Sequence, residues 1–251
     1  MQHLPLTLET PAQNLALDEA LLDAAEEGEI SDEITGSVLR LWESPEYFVV
    51  LGRSSKAEAE VDLAACRQAK VPVLRRSSGG GTIVAGPCCL MYAVVLDFET
   101  HPRLRAIDLA HEYVLQRMAN ILAPLLPGIS AAGISDLVIQ PQTENSTQNI
   151  APAPQKFSGN ALRIKRNHFL YHGTLLYNFD LNQLGKLLGN ATRQPDYRDE
   201  RSHTDFVANL PLQLGVLKAA LIRGWDAHHV LQSWPQQRVA DLTKNRYAEI
   251  L

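Results

Sequence analysis

Three consecutive glycines, Gly79, Gly80 and Gly81, stand between Arg75-Arg76-Ser77-Ser78 and Thr82. Glycine takes positive φ readily and lets a backbone approach a ligand with no Cβ in the way. Flanked by two cations and two hydroxyls, such a loop can hold an anion or an acyl carbonyl against its amides. The bland reading is a flexible hairpin loop with surface arginines. The spacing is neither G-x-G-x-x-G nor G-x-x-x-x-G-K-[ST], which argues against a dinucleotide fingerprint or a P-loop.

About 75 residues on, the segment QKFSGNALR sets Lys156 ahead of Ser158, Gly159 and the small Ala161. A strand lysine beside a glycine suits a phosphate anchor or a carbonyl polariser. At ~4 Å and an effective dielectric of about 20, such a charge pair interacts by roughly 4 kcal/mol before desolvation. A lone lysine there also fits a snorkelling surface side chain. His172-Gly173-Thr174 then runs into Leu175-Leu176, as where a strand passes from a site into a core, although a single histidine is commonly structural. Asp136, closing Gly133-Ile134-Ser135 and opening an apolar strand, could meet a nucleotide, Mg²⁺ or Lys156, or could be a turn aspartate. No residue is assigned as a metal ligand.

These residues need elements to hold them. Leu17, Ala20, Leu21 and Ala24 recur at helical spacing within residues 15–25 and predict a helix with one buried face. Val38 to Trp42 and Tyr47 to Leu51, split by Glu43-Ser44-Pro45-Glu46, predict a hairpin. A polar, Ala-rich helical stretch around Val61 to Lys70 precedes a short strand at Val71 to Leu74. That strand feeds the glycine loop, and Leu90 to Phe98 leaves it as another. A long helix carries Ile107, Ala110, Val114, Leu115, Met118, Ile121, Leu122 and Leu125 on one stripe and stops at Pro127-Gly128. Residues 140–155 are rich in Gln, Asn, Thr, Ser and Pro and predict a mobile surface loop. Lys156 to Ile164 and Phe169 to Phe179 predict a hairpin, and Leu181 to Leu251 reads as mainly short helices with intervening loops. Strands grouped in hairpins argue for an α+β fold with a mixed, largely antiparallel sheet.

The 251 residues, 45% hydrophobic and 20% charged, suit one domain spanning residues 1–251. A formal charge of −5 gives no global basic field, and the short cluster Arg163, Lys165 and Arg166 reads as a solvated hairpin end, so no nucleic-acid partner is expected. Cys66, Cys88 and Cys89 form no C-x-x-C pair, and adjacent cysteines seldom bridge, which points to a reducing compartment. With no basic, apolar leader and no run of about 18 apolar residues, a cytoplasmic protein without membrane partners is expected.

Taken in order, NLALDEALL, LRLWESPEYFVVLGR, RRSSGGGT, GISDLVI, KFSGNALR, YHGTLLYNFDL and, more faintly, RSHTDFVANL resemble the catalytic domain of the lipoate-protein ligase A family, within the biotin and lipoate protein ligases. The resemblance covers residues 14–210. It implies a mixed sheet with packed helices related to class II aminoacyl-tRNA synthetase catalytic domains. It also implies ATP and Mg²⁺ used to convert lipoate or octanoate to an acyl-adenylate, and transfer to a lysine of a lipoyl carrier domain, as in 2-oxoacid dehydrogenases or the glycine cleavage H protein. By motif, Arg76, Ser78, Gly79, Gly80 and Gly81 would flank the acyl group. Lys156 would be the catalytic cation on the acyl carbonyl and adenylate phosphate, and Asp136, Ser158, Gly159, Ala161, His172, Gly173 and Thr174 would line the binding channel.

Two features depart from that pattern. After the glycine loop the family commonly has a His-Asp pair and then Gly-Asn-Leu, where this chain reads Val84 to Leu90 as VAGPCCL. The residues after Leu210 are too few for the family's C-terminal accessory domain, so a separate accessory subunit is a further expectation. Two alternatives to the ligase stay open: an octanoyltransferase drawing on octanoyl carrier protein, for which Cys88 or Cys89 would be the nucleophile, and a non-catalytic acyl- or adenylate-binding paralogue. The apolar Leu90 and Met91 beside those thiols suggest inert, buried cysteines instead.

Overall fold

A computed structural model of the chain describes residues 1–30, 37–141, 152–189, 195–199 and 201–250. Among them, eleven strands run in order β1 (Gln2–Leu4), β2 (Val38–Trp42), β3 (Phe48–Leu51), β4 (Val73–Arg75), β5 (Ile83–Ala85), β6 (Cys89–Asp97), β7 (Ile129–Ala132), β8 (Asp136–Ile139), β9 (Gln155–Ile164), β10 (His168–Leu176) and β11 (His229–Val230). The helices are α1 (Pro11–Glu26), α2 (Ala57–Glu60), α3 (Leu63–Ala69), α4 (Ile107–Leu122), α5 (Asn182–Leu187), α6 (His203–Phe206), α7 (Leu214–Gly224) and α8 (Gln236–Asn245). The predicted loop at 140–155 falls largely outside the described residues.

An eight-stranded sheet has the order β11-β1-β2-β6-β10-β9-β8-β7, and a three-stranded sheet the order β4-β3-β5. In the large sheet β1 pairs parallel with β2 and β11, and every other pairing is antiparallel. In the small one β3 is parallel to β4 and antiparallel to β5. The fold is therefore α+β, mixed and largely antiparallel, as the sequence suggests.

Strand β6 shows why the large sheet is a middle layer. All nine of its residues are buried, so it reads as a continuous apolar run rather than an alternating one. Successive side chains point to opposite faces. Leu90, Tyr92, Val94 and Leu96 join α4 and α7 in one core, while Cys89, Met91, Ala93 and Val95 join α1 and the small sheet in the other.

Four expectations need correction. Strands β2 and β3 do not form a hairpin: β2 pairs with β1 and β6, and β3 with β4 and β5. Both are buried at every position, so neither carries the alternation that would assign its partner, and the turn between them passes the chain from one sheet to the other. Helix α1 begins four residues earlier than the apolar spacing indicates, at a capping box in which Thr10 and Gln13 bond each other's backbone amides and Pro11 starts the helix. It is buried nearly all round, because the sheet covers one side and α8 another. Helix α4 ends at Leu122, ahead of Pro124, so Leu125 falls beyond it and is exposed, as is Ile107 at its first turn. The glycine loop leads from β4 into β5 rather than directly into β6. The C-terminal region also supplies β11, which extends the sheet beyond β1.

Candidate active site

The hairpin β9–β10 and strand β8 carry most of the candidate site residues. Asp136 stands opposite Gly159 and Leu137 opposite Ser158, but Val138 stands opposite Lys156, with a register shift at Leu137/Val138. Strand β9 thus carries one extra residue, and Phe157 and Ser158 both face Leu137. This is a β-bulge, and it re-aims the side chains on either side of it. Without it, alternation would set Lys156 on the opposite face from Asp136; with it, the two share a face and Lys156 Nζ lies 2.8 Å from Asp136 Oδ1. Gly159 leaves the room: a Cβ there would stand 3.0 Å from Nζ and 3.1 Å from Cε. The other Asp136 oxygen accepts a 2.6 Å hydrogen bond from the Tyr197 hydroxyl, and burial together with that carboxylate pushes the phenol far above its usual pKa. The Lys156 carbonyl accepts from Ala208 N at 2.9 Å, so the segment after α6 fixes the backbone that aims the ammonium. The Lys156 side chain keeps 27% of its surface exposed, enough for a ligand to reach it.

Lys156 and Asp136 open onto a cleft of about 110 Å³, whose apolar side is Leu15, Val50, Ile83 and Met91 and whose polar side includes Arg76, Gly81, Thr82, Ser135, Gly159, Asn160 and His172 to Thr174, with Ala161 between them. A cavity of about 310 Å³ at the far end of the hairpin is lined by Asp97, Thr100, Arg105 and His168 among others and holds none of these groups.

The loop arginines are bound to backbone, and Arg76 also stands on the cleft wall. Arg76 is buried, and its guanidinium donates to the carbonyls of Val50, Gly79 and Gly81 and to Ser78 Oγ at 2.6–3.4 Å. Burial draws its pKa down to about 10, which leaves it a cation at neutral pH. Arg75 donates to the carbonyls of Gly52, Arg53 and Ser55. Both are clasps that shape the loop. Gly80 takes a φ of +88°, which favours glycine, and a Cβ on Gly52 would lie 2.0 Å from Gly80 O, so the two backbones meet only because Gly52 has none. Ser78 is buried against His172 with Oγ 2.6 Å from Nε2. Burial, reinforced by the Arg76 charge, lowers the His172 pKa to about 3, so the imidazole is neutral and poorly suited to take a proton. This Ser-His contact braces loop against sheet. Ser78, Gly79, Gly80 and Ser158 lie behind or beside the cleft rather than on its wall.

Asn160 is the contact the sequence hides most. Its Oδ1 accepts from the Tyr92 hydroxyl at 2.5 Å, and its Nδ2 donates to Ser135 O at 2.8 Å. Gly173 makes this possible, since a Cβ there would lie 1.9 Å from that Oδ1. The thiols stand apart. Cys89 is opposite Leu176, four residues along the ladder from Ala93 opposite His172, roughly 13 Å at strand rise. Burial pushes its thiol up to about 12. Cys88 has φ +64° and donates its amide to Glu43 Oε1 at 3.1 Å. Among the described residues no group of three or more His, Cys, Asp or Glu is placed to hold a metal ion, and no helix is long and apolar enough to cross a membrane.

Comparison with known proteins bears on this geometry. A putative lipoate-protein ligase A of Aeropyrum pernix is 28% identical over 89% of this chain and 74% of its own length. A lipoate-protein ligase A of Bdellovibrio bacteriovorus is 31% identical over 69% of this chain, which spans 46% of that protein. The solved bipartite lipoate protein ligase of Thermoplasma acidophilum shares the fold, with a TM-score of 0.72 and 22% identity over 98% of this chain and 94% of that one. The family model described as the lipoyl protein ligase A/B catalytic domain matches residues 10–225, and the chain belongs to that family.

Proposed function

We propose that the protein activates lipoate or octanoate with ATP as an acyl-adenylate and passes the acyl group to a lysine of a lipoyl carrier domain. The observation that carries this reading is Lys156, paired with Asp136 at the mouth of a cleft with an apolar wall beside the glycine loop. The apolar wall suits an acyl chain. The ammonium suits the place where charge gathers, because a carboxylate oxygen of the acid forms a bond to the α-phosphorus, pyrophosphate leaves, and negative charge builds on the phosphate oxygens. In the second step a neutral amine of the carrier lysine attacks the acyl carbonyl and AMP departs, with the same cation facing the leaving phosphate. Positioning and electrostatics supply the rate, and no protein nucleophile is needed.

Asp136 is the carboxylate on the cleft wall, already held by Lys156 and Tyr197. Mg²⁺ would therefore arrive on the nucleotide phosphates, with Asp136 the carboxylate that lines the cleft among the described residues, in the usual manner of that ion, and would supply charge neutralisation there. The buried, protonated Cys89 weighs against an octanoyltransferase that uses this thiol, since that reaction needs a thiolate. The ligase reading is tested by incubating the protein with labelled ATP and octanoate or lipoate, then adding a lipoyl domain. Acyl-AMP and then acylated carrier is the expected result. Labelled acyl on a cysteine from octanoyl carrier protein, without ATP, would replace it.

A further inference from the structure

Strands β6, β10 and β9 set Tyr92, Gly173 and Asn160 in one row, since Tyr92 stands opposite Gly173 and Gly173 opposite Asn160. Residues paired in this way share a face of the sheet. For Tyr92 that is the face packed on α4 and α7, the reverse of the one from which Met91 borders the cleft. Gly173 leaves the middle of the row empty, so the Tyr92 hydroxyl reaches across it and donates to Asn160 Oδ1 at 2.5 Å. The Ser158 hydroxyl donates to the same oxygen at 3.2 Å. At its other end the amide donates from Nδ2 to Ser135 O at 2.8 Å. A carbonyl only accepts, which fixes which end of the amide faces it. The backbone N–H of Asn160 donates to that carbonyl as well, at 3.0 Å.

Ser135 closes the turn between β8 and β7, the last strand of the large sheet. The tip of that turn is open to solvent, with Ile134 79% exposed. The next residue is Asp136, which begins β8 and pairs with Lys156. The Ser135 carbonyl and the Asp136 nitrogen belong to one planar peptide group, so holding that oxygen fixes where Asp136 starts. We propose that Asn160 is a positioning residue of the active site, which holds this peptide from the reverse face of the sheet and so sets where Asp136 aims Lys156. Tyr92 stands behind it and keeps the amide in one orientation. The kinetic consequence rests on the ligase reading above; the effect on the ion pair does not.

The test compares the whole protein with Asn160→Leu and with Tyr92→Phe/Asn160→Leu. The single variant leaves the Tyr92 hydroxyl buried without its acceptor. The double one makes both partners apolar at similar shape, which restores stability but not the hold on Ser135. Acetylation by acetic anhydride is measured first, without ligand, by mass spectrometry against the exposed Lys70 and Lys244. In both variants Lys156 should react about fivefold faster relative to those two, the size of losing one hydrogen bond that supports the pair. In adenylate synthesis kcat should fall about ten- to hundredfold in both, the usual cost of a small misplacement. KM for the acyl acid should stay within about threefold, because the apolar wall of Leu15, Val50, Ile83 and Met91 lies on other elements. Added to Asp136→Asn, Asn160→Leu should lower kcat by less than about twofold more. Unchanged Lys156 labelling overturns the proposal, as does a double variant whose kcat returns with its stability, or full additivity with Asp136→Asn. If the parent protein makes no adenylate, the ligase reading fails, while the labelling still decides whether Asn160 holds the ion pair.

Discussion

Lys156→Ala separates two roles that the same ion pair could have. At 2.8 Å and an effective dielectric of about 20, the Coulomb attraction to Asp136 is roughly 6 kcal/mol. Most of that is offset by desolvation and by the entropy of holding a long side chain, so a pair this near the surface is worth on the order of 1 kcal/mol or less to the fold. Asp136 also keeps the Tyr197 hydroxyl and loses only one of two partners. For a chain of this length that is a shift of about 2–4 °C in Tm. In the proposed reaction the same ammonium would face charge that builds in the transition state, and removing such a donor typically lowers kcat by about 10²–10³, or roughly 2.7–4 kcal/mol. The expected result is a nearly unchanged melt and an ATP–pyrophosphate exchange rate lower by two to three orders of magnitude, with Lys156→Arg recovering part of it. A folded Lys156→Ala protein with exchange within about threefold of the parent would refute the reasoning. So would a melt lowered by about ten degrees with little kinetic loss, which would make the pair structural.

Other expectations concern the supports. Gly173→Ala puts a Cβ 1.9 Å from Asn160 Oδ1 and 2.9 Å from Gly159 O, and urea unfolding should show a loss of about 1–3 kcal/mol. Because folding lowers the His172 pKa from 6.5 to about 3, the unfolded chain binds the extra proton between those values. That part of the stability is present above about pH 6.5 and falls by roughly 1.4 kcal/mol per unit as pH drops toward 3. His172→Gln should flatten that portion of the pH–stability curve measured by denaturant titration. Cys89, protonated throughout the neutral range, should resist iodoacetamide in the native state at pH 8, and Cys89→Ala should retain ligase activity within about twofold; mass spectrometry and the transfer assay check each.

Much of the architecture was readable because it rests on local rules. The stripe from Ala110 to Leu122 specified α4, and the apolar runs around Lys165 to His168 specified the β9–β10 hairpin. Pairing between distant segments was not readable. The fully buried β2 and β3 carry no alternation to name their neighbours, so a turn between them looked like a hairpin bend. In the site, Lys156, Asp136, Gly159 and the His172 to Thr174 run were visible from residue type and motif, and the structure brings them to one cleft. Asn160 and Tyr197 were not. The first acts by a side chain that crosses Gly173, and the second reaches Asp136 from 61 positions away in a segment with no motif. The charges of Arg75 and Arg76 were visible, but which way a guanidinium turns depends on carbonyls that only the folded loop presents.

The extra residue in β9 makes the lysine's placement a matter of odd and even. Lys156 and Gly159 are separated by an odd step, which an unbroken strand sends to opposite faces. If the pairing with β8 slid to iron out the bulge, the same sequence would turn the ammonium into the apolar layer beside Leu137. A variant could thus retain every site residue by identity and still lack the site. Deleting Phe157 would restore the shared face by another route, but it would also remove a ring buried in that layer. For anyone transplanting this hairpin or aligning it across gaps, the count of residues from Lys156 to Gly159 matters as much as their names.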